Sequence, residues 1–598
     1  MNPIIPPRWM RGCSLTLALL AAWSVQPVLG NETFERLTSA AIPAKHAWAA
    51  RLDARDALWL AYYDAARVPR LRDPSGSERP LATLGQAQAP AGLAMVPLDS
   101  GVGLLWRDKH PVKGLYLARS DRPDEPPLEL GAETEPLARF QAFRDGRRLH
   151  VLWYGEQPVE GEASPYQVYT RTVDLETGER SPIERLFQGI YPVWAGAPDG
   201  RVLAVSWLNA ESPHRIVARL RSAGAETFGA PVTIAEVKEI SPVFEAFEHG
   251  GYWYVFWVEA GDLEGTTYDL QGARSADDGA SWARMSFPGL DGFETGSIDL
   301  AFDDDGRVML ALSGLDRPEG GHPKSGVRLL RSTDQGATWS NAVNPRPVAL
   351  SQGFNAANPA VALGPKPGEV LLVWEDWREI RSRLYASLSR DHGETWSHAD
   401  LPLPHPPGVN LGLAFDRQAL FRQGDRFVLI AEQAVDDRLG GIDLVRMDFS
   451  LADLESLART PSATEESAAA GKPGIGTEAE LRERIAAFWR ALVEGDYTAS
   501  YDLQDPFFRA SVDRETYLRT MGRIKYADPE VLEVRIEGHR AVVRSQVTAS
   551  VPPFRASTGE MISREAQVVP IDEVWLWVDD AWYREFVSES NDLRFTKY

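Results

Sequence analysis

Cysteine is all but missing from these 598 residues: Cys13 is the only one. Beyond it no disulfide can brace the chain, and neither thiol chemistry nor a Cys-ligated metal is available. Histidine is scarce too, ten in all, with no pair at metal-ligand spacing, so neither a metal nor a cofactor is expected. No phosphate-binding Gly-rich loop and no nucleophile elbow occurs. Positive charge is in deficit, with 63 Lys and Arg against 85 Asp and Glu and a formal net charge of -22. Nucleic-acid affinity rests on neutralising phosphates, so the expectation is no nucleic-acid partner. The acidity reads instead as solubility outside the cell. Stability must come from packing, and a chain this long should hold more than one structural unit.

Sustained apolar runs are absent except at the start. Leu15–Trp23 follows the cations Arg8 and Arg11 and precedes Pro27, Val28 and Gly30. That order predicts a signal peptide over residues 1–30, cleaved after Gly30. The run is too short for a membrane anchor and is ended by Gln26 and Pro27. Cys13 lies ahead of the run and is not placed as a lipoprotein acceptor. The expectation is an exported protein, periplasmic or secreted, with no stable membrane span after cleavage.

What is abundant is tryptophan, 19 residues, and it recurs in register. Three segments match closely: Arg274–Trp282 (RSADDGASW), Arg331–Trp339 (RSTDQGATW) and Leu388–Trp396 (LSRDHGETW). Their aspartates, Asp277, Asp334 and Asp391, are 57 residues apart both times. The carboxylate can accept from the turn backbone and from the following Ser or Thr hydroxyl. Gly279, Gly336 and Gly393 supply the positive φ of a tight corner, and Trp282, Trp339 and Trp396 pin it to a neighbouring strand. A degenerate fourth copy, Arg221-Ser222 with Thr227-Phe228, lacks the Asp.

Around these corners short strand-like runs recur: Ala57–Tyr63, Gly103–Trp106, His150–Tyr154, Val202–Leu208, Tyr252–Val258, Val308–Leu312, Val370–Trp374 and Phe427–Ile430. Asp-Gly turns precede several of them. Strand, turn, strand, loop, strand, hairpin, strand is one propeller blade. Eight such four-stranded units fit between about residue 45 and residue 455; the first and last are the least regular, which leaves seven as the alternative. The fold expected for residues 31–457 is an all-β propeller. The nine-residue segments resemble the Asp-box, or BNR, repeat of the sialidase-like propellers, in which the boxes stabilise turns away from the catalytic face.

Residues 458–476 have linker composition, rich in Ala, Ser, Thr, Pro, Gly and Glu. Thr477–Glu480 then reads as a capping box opening a helix with Leu481, Ile485, Phe488 and Leu492 on one face. Helical stretches around Tyr497–Leu503 and Arg514–Ile524 precede strands Val531–Ile536, Arg540–Ser550, Ser563–Val569, Val574–Val578 and Trp582–Val587. Helices followed by a curved antiparallel sheet suggest a small α+β cone over residues 477–598. Its element order resembles the NTF2-like family, which hosts too many roles to assign one.

Candidate chemistry lies where the second strands end. Asp64, Asp108, Glu156, Asn209, Glu259, Glu375 with Asp376, and Glu432 suggest an acidic rim at one channel mouth. Solvated charges or local ion pairs, such as Asp376 with Arg378, are the simpler reading. The densest cluster is Glu375, Asp376, Trp377 and Arg378, with Tyr385 on the next strand, a mixture suited to stacking on and hydrogen-bonding a glycan. Trp374 reads as core. Asp303–Gly306 lacks the ligand spacing of a calcium loop and reads as a hairpin turn. The sialidase resemblance implies three arginines clamping a sugar carboxylate, the first in an Arg-Ile-Pro motif, together with a Tyr–Glu pair and an Asp. The nearest match to the motif, Arg67-Val68-Pro69, follows a strand instead of preceding one. The expectation is therefore a non-catalytic propeller binding a glycan or protein partner through one face. The alternative is a sialidase-like glycoside hydrolase (exo-α-sialidase type) with diverged catalytic residues.

Overall fold

The computed structural model describes residues 34–43, 48–81, 92–108, 114–134, 136–210, 212–260, 268–316, 324–345, 354–396, 398–404, 410–411, 418–438, 440–459, 475–555, 561–588 and 593–594. The expected signal peptide, Cys13 and most of the expected linker lie outside these.

Eight antiparallel sheets follow one another along the chain up to Ser450, as the blades of a β-propeller. Their innermost strands begin at Trp48, Leu93, Pro136, Ile190, Phe293 in the sixth, and Ala356 and Ala419 in the last two; Ile240 opens the fifth. The sixth blade has three strands, its fourth position being marked by a lone bridge between Leu329 and Val343. The ring closes through the chain's own beginning. Glu35–Arg36 and Ile42–Pro43 pair with the eighth blade's strand Gly441–Ser450. The irregular first and last units are thus complete blades.

Each second strand is buried on both sides, so successive side chains enter different seams. Trp253, Val255 and Trp257 pack toward the fourth blade, whereas Tyr254, Phe256 and Val258 pack toward the sixth. One apolar cluster fills each of the eight seams, including the closing one, where Leu58, Leu60 and Tyr62 meet Val428, Ile430 and Leu444.

The three repeated segments form one and the same turn. In the last of them Ser389 Oγ donates to Asp391 Oδ1 at 2.8 Å, the Thr395 amide reaches the same oxygen at 2.8 Å, and the Gly393 amide donates to Ser389 Oγ at 2.8 Å. The Asp277 and Asp334 turns repeat this set. Bonds from Ser281 and Ser275 hold the Asp277 carboxyl down at about 2. Each corner also presses on the preceding blade. A Cβ on Gly336, at φ +75°, would come within 3.0 Å of Tyr254 Cε1 of the fifth blade. Trp339 is buried in that seam beside Phe256 and Phe287. At the degenerate copy, Phe228 takes the tryptophan's place, stacking on Trp194 at 6.5 Å under the Arg221 guanidinium.

Helix Leu451–Arg459 leads out of the ring, so residues 458 and 459 of the expected linker are helical. Helix Glu478–Glu494 carries the capping box at Thr477 and ends at Gly495, φ +78°. Helices Tyr497–Asp502, Pro506–Ser511 and Arg514–Thr520 follow. They precede a sheet of Lys525–Glu537, Arg540–Arg555, Met561–Val578 and Ala581–Arg584. The runs Ser563–Val569 and Val574–Val578, expected as two strands, are one. Pro570 takes its place in the ladder opposite Gln546, and the buried Glu573 carboxylate accepts from Arg584 Nε at 2.7 Å and Trp489 Nε1 at 3.2 Å. This C-terminal unit has its own core around Leu481, Ile485, Phe488 and Trp575.

Candidate functional site

The repeated corners occupy one face of the ring, at the starts of the second strands. The opposite face, where second strands end and inner strands begin, is irregular by comparison. Inner strands carry a bulge there in five consecutive blades, the third to the seventh. Bulges re-aim side chains and leave room at a rim.

At this face the last turns of the second strands differ by blade. The fifth blade ends in Trp257-Val258-Glu259 and the seventh in Trp374-Glu375-Asp376. In both, the indole donates toward the carboxylate two residues on, Trp257 Nε1 to Glu259 Oε2 at 3.4 Å and Trp374 Nε1 to Asp376 Oδ2 at 3.3 Å. The sixth blade has Leu312-Ser313-Gly314 at these places, with neither indole nor carboxylate. Where the bulky pair is missing, a cavity of about 360 Å³ opens. Small-molecule sites fall in the range of roughly 300–1,000 Å³.

Its described lining mixes small polar and apolar groups. Glu294, Thr295, Gly296 and Ser297 come from the sixth blade's bulged inner strand, Ser313 and Gly314 from its second, and Ser325 from its third. Leu315 of the same second strand, Tyr268 of the fifth blade, and Ala357 and Asn358 of the seventh complete the described lining. Ser297 and Ser313 share a hydroxyl–hydroxyl hydrogen bond of 2.6 Å. Thr295 is 3% exposed, and among the described residues its Oγ1 has no hydrogen-bond partner. Gly314 is required here, since a Cβ would run into the Glu294 carbonyl. Gly296 is not, because a Cβ there would meet nothing nearer than the Ser313 carbonyl oxygen at 3.6 Å. Asn358 stands at φ +50° and donates from Nδ2 to Glu375 Oε2 at 2.8 Å. Among the described residues the lining includes one carboxylate, Glu294, and no cation.

The residues singled out from sequence are dispersed around this cavity. Glu375, Asp376, Trp377, Arg378 and Tyr385 do converge in the seventh blade, but as a packed network. Asp376 and Arg378 pair at 2.7 Å, the Arg378 guanidinium covers the Tyr385 ring at 4.0 Å, and Tyr385 Oη donates to Glu379 Oε1 at 2.8 Å. Burial pushes the Tyr385 hydroxyl well above its usual range. Trp377 is covered by Phe507 and Leu576 of the C-terminal unit, so its face is not available for stacking on a sugar. Glu259 accepts from the Lys238 amide at 2.9 Å, and Glu432 accepts from Trp48 Nε1 at 2.8 Å across the closing seam. The Asp108 side chain lies outside the described residues. Among the described residues these carboxylates form no single acidic ring, because neighbouring positions such as Glu375 and Asp376 lie on opposite sides of their strand. Asp303 caps its own hairpin, accepting from the Asp305 and Arg307 amides at 3.0 and 2.8 Å. Arg67 sits at φ +65° in a turn whose Val68 amide bonds Asp64 Oδ1. Among the described residues no three His, Cys, Asp or Glu side chains group as a metal site, and no helix is long and apolar enough to cross a membrane. The cavity residues escaped notice in the sequence; their one signal there is the sixth blade's missing tryptophan and acid.

No protein-family model and no curated protein matches the chain. Among solved structures, an ulvan lyase aligns at 13% identity over 71% of this chain and 98% of its own, with TM-score 0.40. A second polysaccharide lyase aligns at 10% over 62% and 92%, TM-score 0.40. An α-L-arabinofuranosidase from Fusarium graminearum aligns at 12% over 53% and 93%, TM-score 0.32.

Proposed function

We propose that this is an exported, non-catalytic propeller of the Asp-box type that binds a neutral glycan segment in the sixth-blade cavity. One observation carries the reading: a sugar-sized hollow whose described lining presents hydroxyls, an amide and one carboxylate beside the apolar Leu315 and Ala357. Sugar hydroxyls donate and accept in equal measure and suit such a wall. An anionic sugar does not. A sialic acid or uronic acid would bring its carboxylate beside Glu294 with no guanidinium among the described lining residues to receive it. The NTF2-like resemblance of residues 477–598 and export through residues 1–30 belong to the same proposal.

The test is equilibrium binding to a panel of neutral, uronate-containing and sialylated oligosaccharides, together with turnover of a fluorogenic sialoside. Binding confined to neutral members, without turnover, is expected. Robust sialoside hydrolysis that Glu375→Gln or Asp376→Asn abolishes would overturn this reading and favour the hydrolase.

A further inference from the structure

The cavity's seventh-blade wall is a short stretch of chain with its other end in the interface with the C-terminal unit. Ala357 and Asn358 line the cavity. Three residues earlier, Phe354 is buried in an apolar cluster with Trp377 and Ile380 of the same blade and with Phe507 and Leu576 of the C-terminal unit. Between them, Asn355 faces both ways. Its carbonyl accepts from the Trp377 amide at 3.0 Å, and its Oδ1 accepts from the amide of Ser325, itself a cavity residue, at 2.9 Å. Polar contacts ring the interface. Arg381 pairs with Asp437 of the eighth blade and with Asp579 of the C-terminal unit, the latter at 2.8 Å, and lies over the Phe507 ring. Arg438 Nε donates to the Ala510 carbonyl.

Phe507 and Leu576 belong to this cluster and not to the unit's own cores around Phe488 and around Tyr501. Both are fully buried by the contact with the propeller. Asn358, at the far end of the stretch, holds a left-handed backbone conformation, which Asn adopts readily, and is anchored by its Nδ2 donating to Glu375 Oε2 at 2.8 Å.

We propose that the C-terminal unit is the positioning element of the cavity: by gripping Phe354 and Trp377 it holds residues 354–358 in the register that forms the wall. A site held to within a fraction of an ångström needs such a supporting layer. That the cavity takes a neutral glycan rests on the reading above, but the positioning itself does not, and it can be measured without any ligand.

The experiment is hydrogen exchange on the full chain, parent against Phe507→Glu, which places a charge in the interface and leaves the unit's own cores alone. Asp579→Asn, removing only the exposed ionic contact, is the milder second variant. Small-angle scattering reports whether the C-terminal unit has come away. Undocking in Phe507→Glu, with amide exchange at least tenfold faster in residues 354–361 and 295–298 and unchanged in the second to fourth blades, is expected. Asp579→Asn should move the same amides in the same direction, less far. Unchanged exchange at residues 354–361 in an undocked protein would overturn the proposal, as would a protein that stays docked despite the buried charge. If the exchange result holds and no neutral oligosaccharide binds the parent, the glycan reading fails and the positioning stands.

Discussion

The two faces of the ring obey different rules. On one, three nine-residue segments make the same hydrogen bonds and press the same glycine and tryptophan on the preceding blade. On the other, the fifth and seventh blades end in an indole–carboxylate pair, and the cavity sits at the sixth, which lacks it. Repetition here builds the scaffold, and the break in repetition builds the site. A turn box is a local device that works in any blade. A cavity needs something left out, at Leu312 and Gly314, relative to the Trp–carboxylate pairs on either side.

The largest expected effect belongs to the repeating face. Trp339→Ala empties a buried position in the seam between the fifth and sixth blades, and thermal or denaturant unfolding should show a loss of about 3–5 kcal/mol. An unchanged midpoint would mean the seam does not depend on the ring. Asp334→Ala removes acceptors for Ser332, Thr338 and their turn, and should cost roughly 1–3 kcal/mol by the same measurement. The same substitutions should leave glycan affinity within error, which separates the faces functionally.

Acid sharpens a second contrast, between the ring and the C-terminal unit. The Asp277 carboxyl is held down from 3.8 to about 2 in the folded state, so its contribution is full above 3.8 and fades as pH falls toward about 2. Asp505 goes the other way. Burial lifts it from 3.8 to about 6, although it accepts from the Phe508 and Phe586 amides, both at 2.8 Å. Its contribution is full below 3.8 and is lost as pH rises through about 6. The C-terminal unit should therefore gain stability on going from pH 7 to pH 5, and Asp505→Asn should flatten that gain. A C-terminal transition, followed by tryptophan fluorescence, that is equally stable at both pH values would contradict this.

The scaffold was legible because its information is local. Asp, Gly and Trp at fixed offsets dictate a corner without reference to the rest of the chain, and the eight alternating runs count the blades. The cavity was not, because it is defined by three blades at once: Tyr268, Gly296 and Asn358 are far apart in sequence, and only packing makes them neighbours. Trp377 misled for a related reason. An aromatic beside an arginine and two carboxylates looks like a sugar platform, and nothing local says that Phe507, some 130 residues on, covers it. In the C-terminal unit, Thr477 marked the start of its helix correctly. Helix Pro506–Ser511 was too short to show a period, though Asp505 and Pro506 supply its cap and first turn. Pro570 and Glu573 read as a break because the partners that accommodate them, Gln546, Trp489 and Arg584, come from other elements.

The most direct test of the central claim is a calorimetric titration of neutral oligosaccharides into the parent and into Gly296→Phe. The glycine has an ordinary backbone conformation, and a Cβ there would make only an ordinary contact with the Ser313 carbonyl oxygen at 3.6 Å, so the phenyl ring should plug the cavity with little change in melting temperature. A neutral oligosaccharide that binds the parent, with binding lost in a Gly296→Phe protein of unchanged melting temperature, is the predicted result. Equal affinity in both proteins would place the ligand elsewhere and contradict the account.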